Sequence, residues 1–147
     1  MDSIDAKDVR PVVKIFNRHA VPSGHSWADR TLSDLQFILI LSGSFEYITA
    51  SGSLVVAPGE VLFIEPGTQH TFRLKNDGQP GEISGFHCEL GSPGTYITGD
   101  YKLEPAPARV TKLPDPHPLR HLFFAGAEIW QGFSARRLQL LEQLVRM

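Results

Sequence analysis

The sequence contains one cysteine, no excess of basic residues and no long hydrophobic run. Cys88 alone cannot form an internal disulfide, and no CxxC or Cys/His pair typical of a structural zinc site is present. With 14 basic and 16 acidic residues the net charge is -2, which argues against a nucleic-acid-binding module. The longest apolar stretch, residues 37–41, is far shorter than the roughly 20 residues that span a bilayer.

The first residues also lack the apolar segment of a secretory signal, because Asp2, Asp5 and Asp8 interrupt every short hydrophobic run. We therefore expect a cytoplasmic protein with no membrane partner. A length of 147 residues, with 41% hydrophobic and 20% charged residues, is typical of one soluble globular domain.

Short apolar runs bounded by glycine and proline recur over residues 10–104. Runs such as residues 35–41 and 61–64 alternate with turn sequences such as residues 42–44 and 66–67, at intervals near ten residues. Strands of this length and spacing predict a mainly β barrel or sandwich. Within it, Cys88 is interpreted as a buried small hydrophobic side chain.

After residue 104 the pattern changes to proline and then to helical spacing. Five prolines make residues 105–118 a stiff, extended linker that cannot be helical. Apolar residues three and four apart then predict two helices, separated near Gly132, that form an antiparallel αα-hairpin. The predicted organisation is a barrel with an N-terminal arm over residues 1–104, the linker over 105–118 and the hairpin over 119–147.

The apolar stripe of the hairpin permits two interpretations. It can pack on the chain's own barrel, or it can form a seam with a second copy of the chain. Large residues such as Phe123 favour the seam, because a small barrel with a filled interior has limited outer surface to cover them. On this hypothesis the dimer contacts are Leu138, Leu141, Leu144, Val145 and Trp130.

The most informative segment runs from Gly59 to His70. It predicts a turn, an apolar strand, a tight turn at Pro66-Gly67 and a strand beginning at His70, where a barrel can aim the side chain inward. By its spacing of two glycines and a histidine, it resembles the second sequence motif of the cupin superfamily. Glu65 stands where that motif has a proline.

The first cupin motif also fits the spacing from Gly24 to Gly43, but all three ligand positions are replaced. Arg30 and Leu32 stand in place of two histidines, and Gln36 stands in place of a carboxylate. Transition-metal affinity requires a convergent set of such ligands, and a cationic Arg30 would repel a divalent ion. We therefore expect no metal and no cofactor.

Arg30, Gln36 and His70 would instead form a polar recognition set. The guanidinium offers a rigid fork of donors that suits carboxylates or vicinal hydroxyls. Gln36 interrupts an otherwise apolar strand and is expected to face inward with a partner. The alternatives remain open that Arg30 is a surface residue and that His70 only closes its turn.

Three further residues are candidates for the same site. His87 shares a strand face with Glu89, and the sequence leaves open whether this face is lumen or solvent. His25 and Trp27 lie on the N-terminal arm and are expected to cover the barrel mouth. The alternative for Trp27 is a packing anchor.

Taken together, the barrel, the linker and the hairpin resemble the N-terminal domain of AraC-type transcriptional regulators, over roughly residues 10–147. The matching segments are residues 41–47, 58–70 and 113–116 with the helix that follows. The resemblance implies a cupin-like barrel (a double-stranded β-helix or jelly roll) that binds a small polar or anionic effector, such as a sugar. It also implies a homodimer formed through the helices, and DNA binding only through a further C-terminal domain. By position, Arg30, His70 and His87 would lie at or near the effector pocket.

The expected function is therefore regulatory and non-enzymatic. The alternatives are a stand-alone cupin enzyme of the isomerase or oxygenase kind, which would bind metal, and a dimerisation module whose filled barrel binds nothing. The sequence also lacks a G-x-S-x-G nucleophile elbow. An end inside an apolar helix, at residues 144–147, favours a piece of a longer protein over a stand-alone sensor.

Overall fold

Apolar runs separated by tight turns form most of the strands of the fold. The structure is a computed structural model and describes residues 2–5, 10–92, 95–97, 101–104, 106–114, 118–131 and 137–146. The strands are β1 (Asp2–Asp5), β2 (Arg10–Val21), β3 (Ser26–Thr31), β4 (Leu35–Ser42), β5 (Phe45–Thr49), β6 (Gly52–Val56), β7 (Glu60–Ile64), β8 (Gln69–Leu74), β9 (Gly81–Ser92), β10 (Thr95–Ile97), β11 (Tyr101–Glu104) and β12 (Val110–Lys112). The helices are α1 (Pro118–Gln131) and α2 (Arg137–Arg146). The predicted change from strands to helices is confirmed.

Two sheets face each other as the walls of a jelly-roll barrel. The larger has the order β10-β9-β4-β7-β12, with β2 also paired to β9, and the smaller has the order β3-β8-β5-β6. A parallel pair of β1 and β11 stands apart from both. Because β12 pairs with β7, the segment predicted as a linker contributes a strand to the larger sheet.

The larger sheet is buried on both faces, which explains why β4 reads as an almost continuous apolar run. One face looks into the barrel, where the lumen core contains Val21, Ile38, Ile40, Phe45, Tyr47, Val56, Leu62, Ile64, Phe72, Leu74 and Ile83. The other face lies under the helices, where the helix-side core contains Val13, Phe16, Leu35, Leu39, Phe63, Phe86, Cys88, Leu103, Leu113, Phe123, Ala127 and Leu141. Alternate residues of one strand therefore belong to different cores.

Helix α1 packs directly on this sheet. Gly126 lies so close to the ring of Phe16 that a Cβ atom would have no space. Phe16 in turn stacks on Phe86, with ring centroids 4.9 Å apart. The helices thus cover the barrel of their own chain.

This packing corrects part of the predicted dimer seam. Leu141 is 0% exposed within the single chain, so its assignment to a contact between two chains is wrong. Its burial follows from the packing of α2 on both α1 and β2. Trp130 and Val145 are partly buried against the same helix-side core, whereas Leu144 lines a separate groove between the helices. The side chain of Leu138 lies outside the described residues.

Within the described part of the chain, neither helix combines the length and the apolar character needed to cross a membrane. Cys88 is buried in the helix-side core, as predicted. Burial raises the pKa of its thiol to about 12, with a smaller contribution from the charge of Asp34. The thiol is therefore a packing group rather than a nucleophile.

Candidate functional site

A small cavity of about 100 Å³ lies between the two sheets. Strands β2, β4 and β9 form one wall, and β3 and β8 form the other. Four of the predicted site residues meet here: Trp27, Arg30, Gln36 and His87. The remaining lining residues are Asn17, His19, Ile38, Phe72, Ile83 and Gly85. Elsewhere the lumen is filled by apolar side chains.

An irregularity in β3 allows both Trp27 and Arg30 to face the cavity. Residues three apart on a regular strand point to opposite faces. Here Trp27 lies opposite Phe72 and Arg30 lies opposite His70, so β3 contains one residue more than β8 over this stretch. That extra residue forms a β-bulge, in which Asp29 adopts a positive φ of 50°. The sequence carries no clear signal of this bulge.

Arg30 is a half-buried cation with few partners. One of its terminal nitrogens, Nη2, donates a hydrogen bond to Gln36 Oε1 at 3.4 Å. Its Nε atom is buried without a hydrogen-bond partner, and the side chain forms no ion pair with any described carboxylate. Burial lowers the pKa of Arg30, although the charge of Asp34 acts in the opposite direction. An incoming anion would supply the partner that this guanidinium lacks.

His87 faces the lumen, which resolves the orientation that the sequence left open. It stands opposite Gln36 in the pairing of β4 with β9. Its Nδ1 lies 3.1 Å from Oδ1 of the buried Asp34. Because a carboxylate oxygen accepts, the Nδ1–H is the donor, and the other ring nitrogen remains available. His87 therefore separates Asp34 from the cavity, which Asp34 does not line.

His70 is buried next to Arg30 but is not among the residues that line the cavity. Its Nδ1–H donates to the carbonyl oxygen of Thr68 at 2.9 Å, and its Nε2 is buried without a hydrogen-bond partner. Burial lowers the pKa of His70, and the nearby charge of Arg30 lowers it further. The ring alternates with Phe72 along β8, and its centroid lies 5.5 Å from that of Tyr47 in the lumen core. His70 therefore faces inward, while its bond to Thr68 also closes the turn before β8.

The aromatic residues predicted to lie on an N-terminal arm belong instead to the barrel wall, because Trp27 lies on β3 and His25 directly precedes that strand. Trp27 stacks on Phe72 at 5.7 Å, and the ring of His25 meets Trp27 edge-on at 4.4 Å. His25 is exposed and does not line the cavity; its carbonyl oxygen accepts a hydrogen bond from the backbone N–H of Leu74. Trp27 is thus both a packing residue and part of the site.

Asn17 and His19 also line the cavity, and neither is among the predicted site residues. Burial lowers the pKa of His19, as does its neighbour His25. The alternation of Asn17, His19 and Val21 along β2 was the available signal, because Val21 lies in the lumen core. It was obscured by a second bulge, near Lys14, which changes the face that the alternating residues occupy.

These residues do not fit a metal ion of the kind that cupin barrels hold. Leu32 has no donor atom, Gln36 is an amide bound to Arg30, and His70 lies next to that cation. Among the described residues, no three His, Cys, Asp or Glu side chains are grouped closely enough to hold a metal. The arrangement suits recognition of an anion rather than of a divalent cation.

No protein-family model and no curated protein matches the sequence. Among solved structures, the unsaturated-fatty-acid-bound ToxT from Vibrio cholerae matches with a TM-score of 0.53 and 10% identity, covering 91% of this chain and 50% of ToxT. YhaK from Escherichia coli matches with a TM-score of 0.51 and 17% identity, covering 70% of this chain and 42% of YhaK. A Cupin 2 conserved barrel domain protein from Salinispora arenicola matches more weakly, with a TM-score of 0.44 and 12% identity, covering 54% of this chain and 74% of that protein.

The chain therefore spans half or less of the lengths of ToxT and YhaK. At these identities the similarities show the fold alone. That fold is the predicted one, a mainly β, cupin-like jelly-roll barrel followed by two helices.

Proposed function

We propose that this chain is the effector-binding and dimerisation domain of an AraC-type transcriptional regulator, and that it binds its ligand without transforming it. The observation that carries the proposal is the convergence of Trp27, Arg30, Gln36 and His87 in one cavity. Polar side chains that converge on a concavity in an otherwise apolar barrel are typical of a small-molecule site. A cytoplasmic location and control of DNA binding through a domain outside this chain belong to the same proposal.

The similarity to ToxT supports ligand binding in a barrel of this kind. It extends over 91% of the chain, and the ToxT structure contains an unsaturated fatty acid. A fatty acid carries a carboxylate, the group that the unpaired guanidinium of Arg30 suits best.

A screen of small molecules by thermal shift tests this part of the proposal. A ligand that binds the folded chain at 100 times its Kd should stabilise it by about 2.7 kcal/mol. The shift should be smaller when Gln36 or Arg30 is replaced by an apolar residue. If sugars, short carboxylates and fatty acids all leave the melting temperature unchanged, the effector-binding function is wrong.

The dimerisation half of the proposal rests on an exposed groove of the helices. This groove, with a volume of about 420 Å³, is lined by Pro118, Leu119, His121, Leu122, Ala125 and Leu144. Leu119 is 45% exposed, and Leu140 nearby in α2 is 39% exposed. We propose that a second copy of the chain covers this surface, because apolar patches of this kind usually mark an interface.

Sedimentation equilibrium separates the monomer from the dimer. Leu119→Glu should shift the chain to monomer, because a carboxylate in the groove would be desolvated by the partner. The matched control is Val55→Glu, at a 66% exposed position on the sheet that carries no helices, which should leave the dimer intact. A monomeric parent chain, or equal effects of the two variants, would contradict the proposed interface.

A further inference from the structure

We infer that the cavity between the two sheets binds a short-chain monocarboxylate of about four to six non-hydrogen atoms, with its carboxylate on Arg30 and its alkyl group between Phe72 and Ile83. This inference rests on the proposed ligand-binding function and gives it a ligand class.

The cavity volume sets the size of the ligand. A cavity of about 100 Å³ is well below the roughly 300–1,000 Å³ of sites for drug-sized ligands. An engineered cavity of about 150 Å³ holds benzene, which has six carbon atoms. By proportion about four atoms fit inside, and the partly open wall leaves room for one or two more. A whole sugar or a long-chain fatty acid is too large to lie within it.

The charge of the lining sets the sign of the ligand. Of the ten lining residues, Arg30 carries a permanent positive charge, and none of the ten has a carboxylate. The nearby Asp34 is held by His87 Nδ1 outside the lining. An anion would therefore contact a cation and no carboxylate, although the charge of Asp34 reaches Arg30 from behind His87, whereas an amine would leave Arg30 unpaired and add repulsion.

Neutral hydrogen-bond donors lie beside Arg30 in the cavity and could also bind a carboxylate. Gln36 uses its Oε1 to accept from Arg30, so its amide N–H groups remain for a ligand. The Asn17 amide lies on the same side of the barrel and offers further N–H donors. A carboxylate accepts several such bonds, and bonds with a charged partner are about twice as strong as neutral ones.

Apart from His19, the rest of the lining is apolar and distinguishes a carboxylate from an inorganic anion. Trp27 and Phe72 are stacked along one wall, and Ile38 and Ile83 lie on the other. A sulfate or phosphate would leave these surfaces in contact with a fully hydrated ion. A short alkyl chain would cover them and gain apolar contact.

Isothermal titration of the 147-residue chain with sodium propionate tests the inference, with propionamide, propylamine and sodium phosphate as comparison probes at equal ionic strength. Propionate should bind at one site, with an affinity no tighter than about micromolar for a ligand of this size. The uncharged propionamide should bind at least tenfold more weakly, and propylamine should not bind.

Two variants test the position of the carboxylate. Arg30→Met should weaken propionate binding roughly ten- to a hundredfold, because it removes a charged hydrogen-bond donor. Gln36→Glu, which keeps the side-chain shape and adds a negative charge, should weaken it as well. The matched control is Arg73→Met, at an exposed arginine of β8 that pairs with Glu46, and it should bind propionate like the parent.

Equal binding of propionate and propionamide, equal binding of propionate and phosphate, or unchanged binding by Arg30→Met would each overturn the inferred ligand class. If a neutral sugar binds and propionate does not, the ligand class is wrong and the effector-binding function stands. If no probe of any class binds, both are wrong.

Discussion

The two faces of β4 and β9 differ in a way that separates stability from function. The helix-side residues, among them Phe37, Phe86 and Cys88, are apolar and closely packed. The lumen-side residues of the same strands change from Ile40 and Ile83 to Gln36 and His87. Apart from Ser84, whose hydroxyl donates to the carbonyl oxygen of Asn17, the helix-side face is apolar, whereas the lumen face becomes polar where the cavity lies.

The polar side chains around the cavity include groups that lower the stability of the fold. A buried polar atom without a partner destabilises the folded state by about 1–3 kcal/mol. In the described residues there are three such atoms. Arg30 Nε and His70 Nε2 lie on the neighbouring strands β3 and β8, and Arg120 Nε lies in α1, away from the cavity. Sites that break the packing rules in this way are commonly functional.

Among the substitutions, one in the helix-side core should cause the largest loss of stability. Leu141→Ala should lower the free energy of unfolding by about 2–5 kcal/mol, because it leaves a cavity between α2 and the barrel. Leu144→Ala, three residues further along α2, removes a groove side chain and should cost about 1 kcal/mol or less. Urea unfolding of both variants measures the difference. Equal costs would show that the helices do not pack on the barrel as described.

A substitution in the β3 bulge, which allows Arg30 to face the cavity, should cause a smaller loss of stability. Asp29→Val should lower the free energy of unfolding by about 1–3 kcal/mol, because a β-branched residue is strained at a φ of 50°. Asp29→Gly relieves that strain and should be at least as stable as the parent. Thermal unfolding checks both variants. A valine variant as stable as the glycine variant would contradict the positive φ.

The smallest effect should be a pH dependence at His70. Its pKa is lowered in the folded state by burial, below the ordinary value of 6.5. Between these two values the unfolded chain binds a proton that the folded chain does not, so the free energy of unfolding falls as the pH drops below 6.5.

His70→Asn keeps a donor for the Thr68 carbonyl and removes the titrating ring, so unfolding curves from pH 7.5 to 5 should show a weaker pH dependence than in the parent. His19→Asn is the companion variant, because burial and His25 also lower the pKa of His19. If the slope of the parent persists in His70→Asn, His70 does not titrate as described.

The strand pattern, the turns and the two helices could be predicted from the sequence because each depends on residues close together in the chain. The run of β4 and the Pro66-Gly67 turn are examples. The surface on which the helices pack could not be predicted, because an apolar stripe fits equally well against the chain's own barrel and against a second chain. Leu141 was assigned to a second chain for that reason.

Within the site, Gln36 is expected to face inward because it interrupts an apolar strand, and Arg30 follows from the spacing of the cupin motif. His87 is placed near the pocket only by the resemblance to AraC-type regulators, since strand alternation leaves its face open. Asn17 and His19 were missed because a bulge in β2 shifts the alternation. His70 faces inward as expected, since it alternates with Phe72 of the lumen core, but it lies beside the cavity and not in its lining. Bulges depend on the partner strand, so a single strand's sequence does not reveal them.

The central claim, that the polar end of the lumen is an anion site, is tested most directly by fluorescence. The chain has two tryptophans. Trp130→Phe leaves Trp27, in the cavity wall, as the fluorescent reporter, and Trp27→Phe leaves Trp130 of α1 as the reporter. Propionate should produce a saturable change in the first variant and none in the second, and adding Arg30→Met to the first should abolish it. A change that persists without Arg30, or no change in either variant, would contradict the claim.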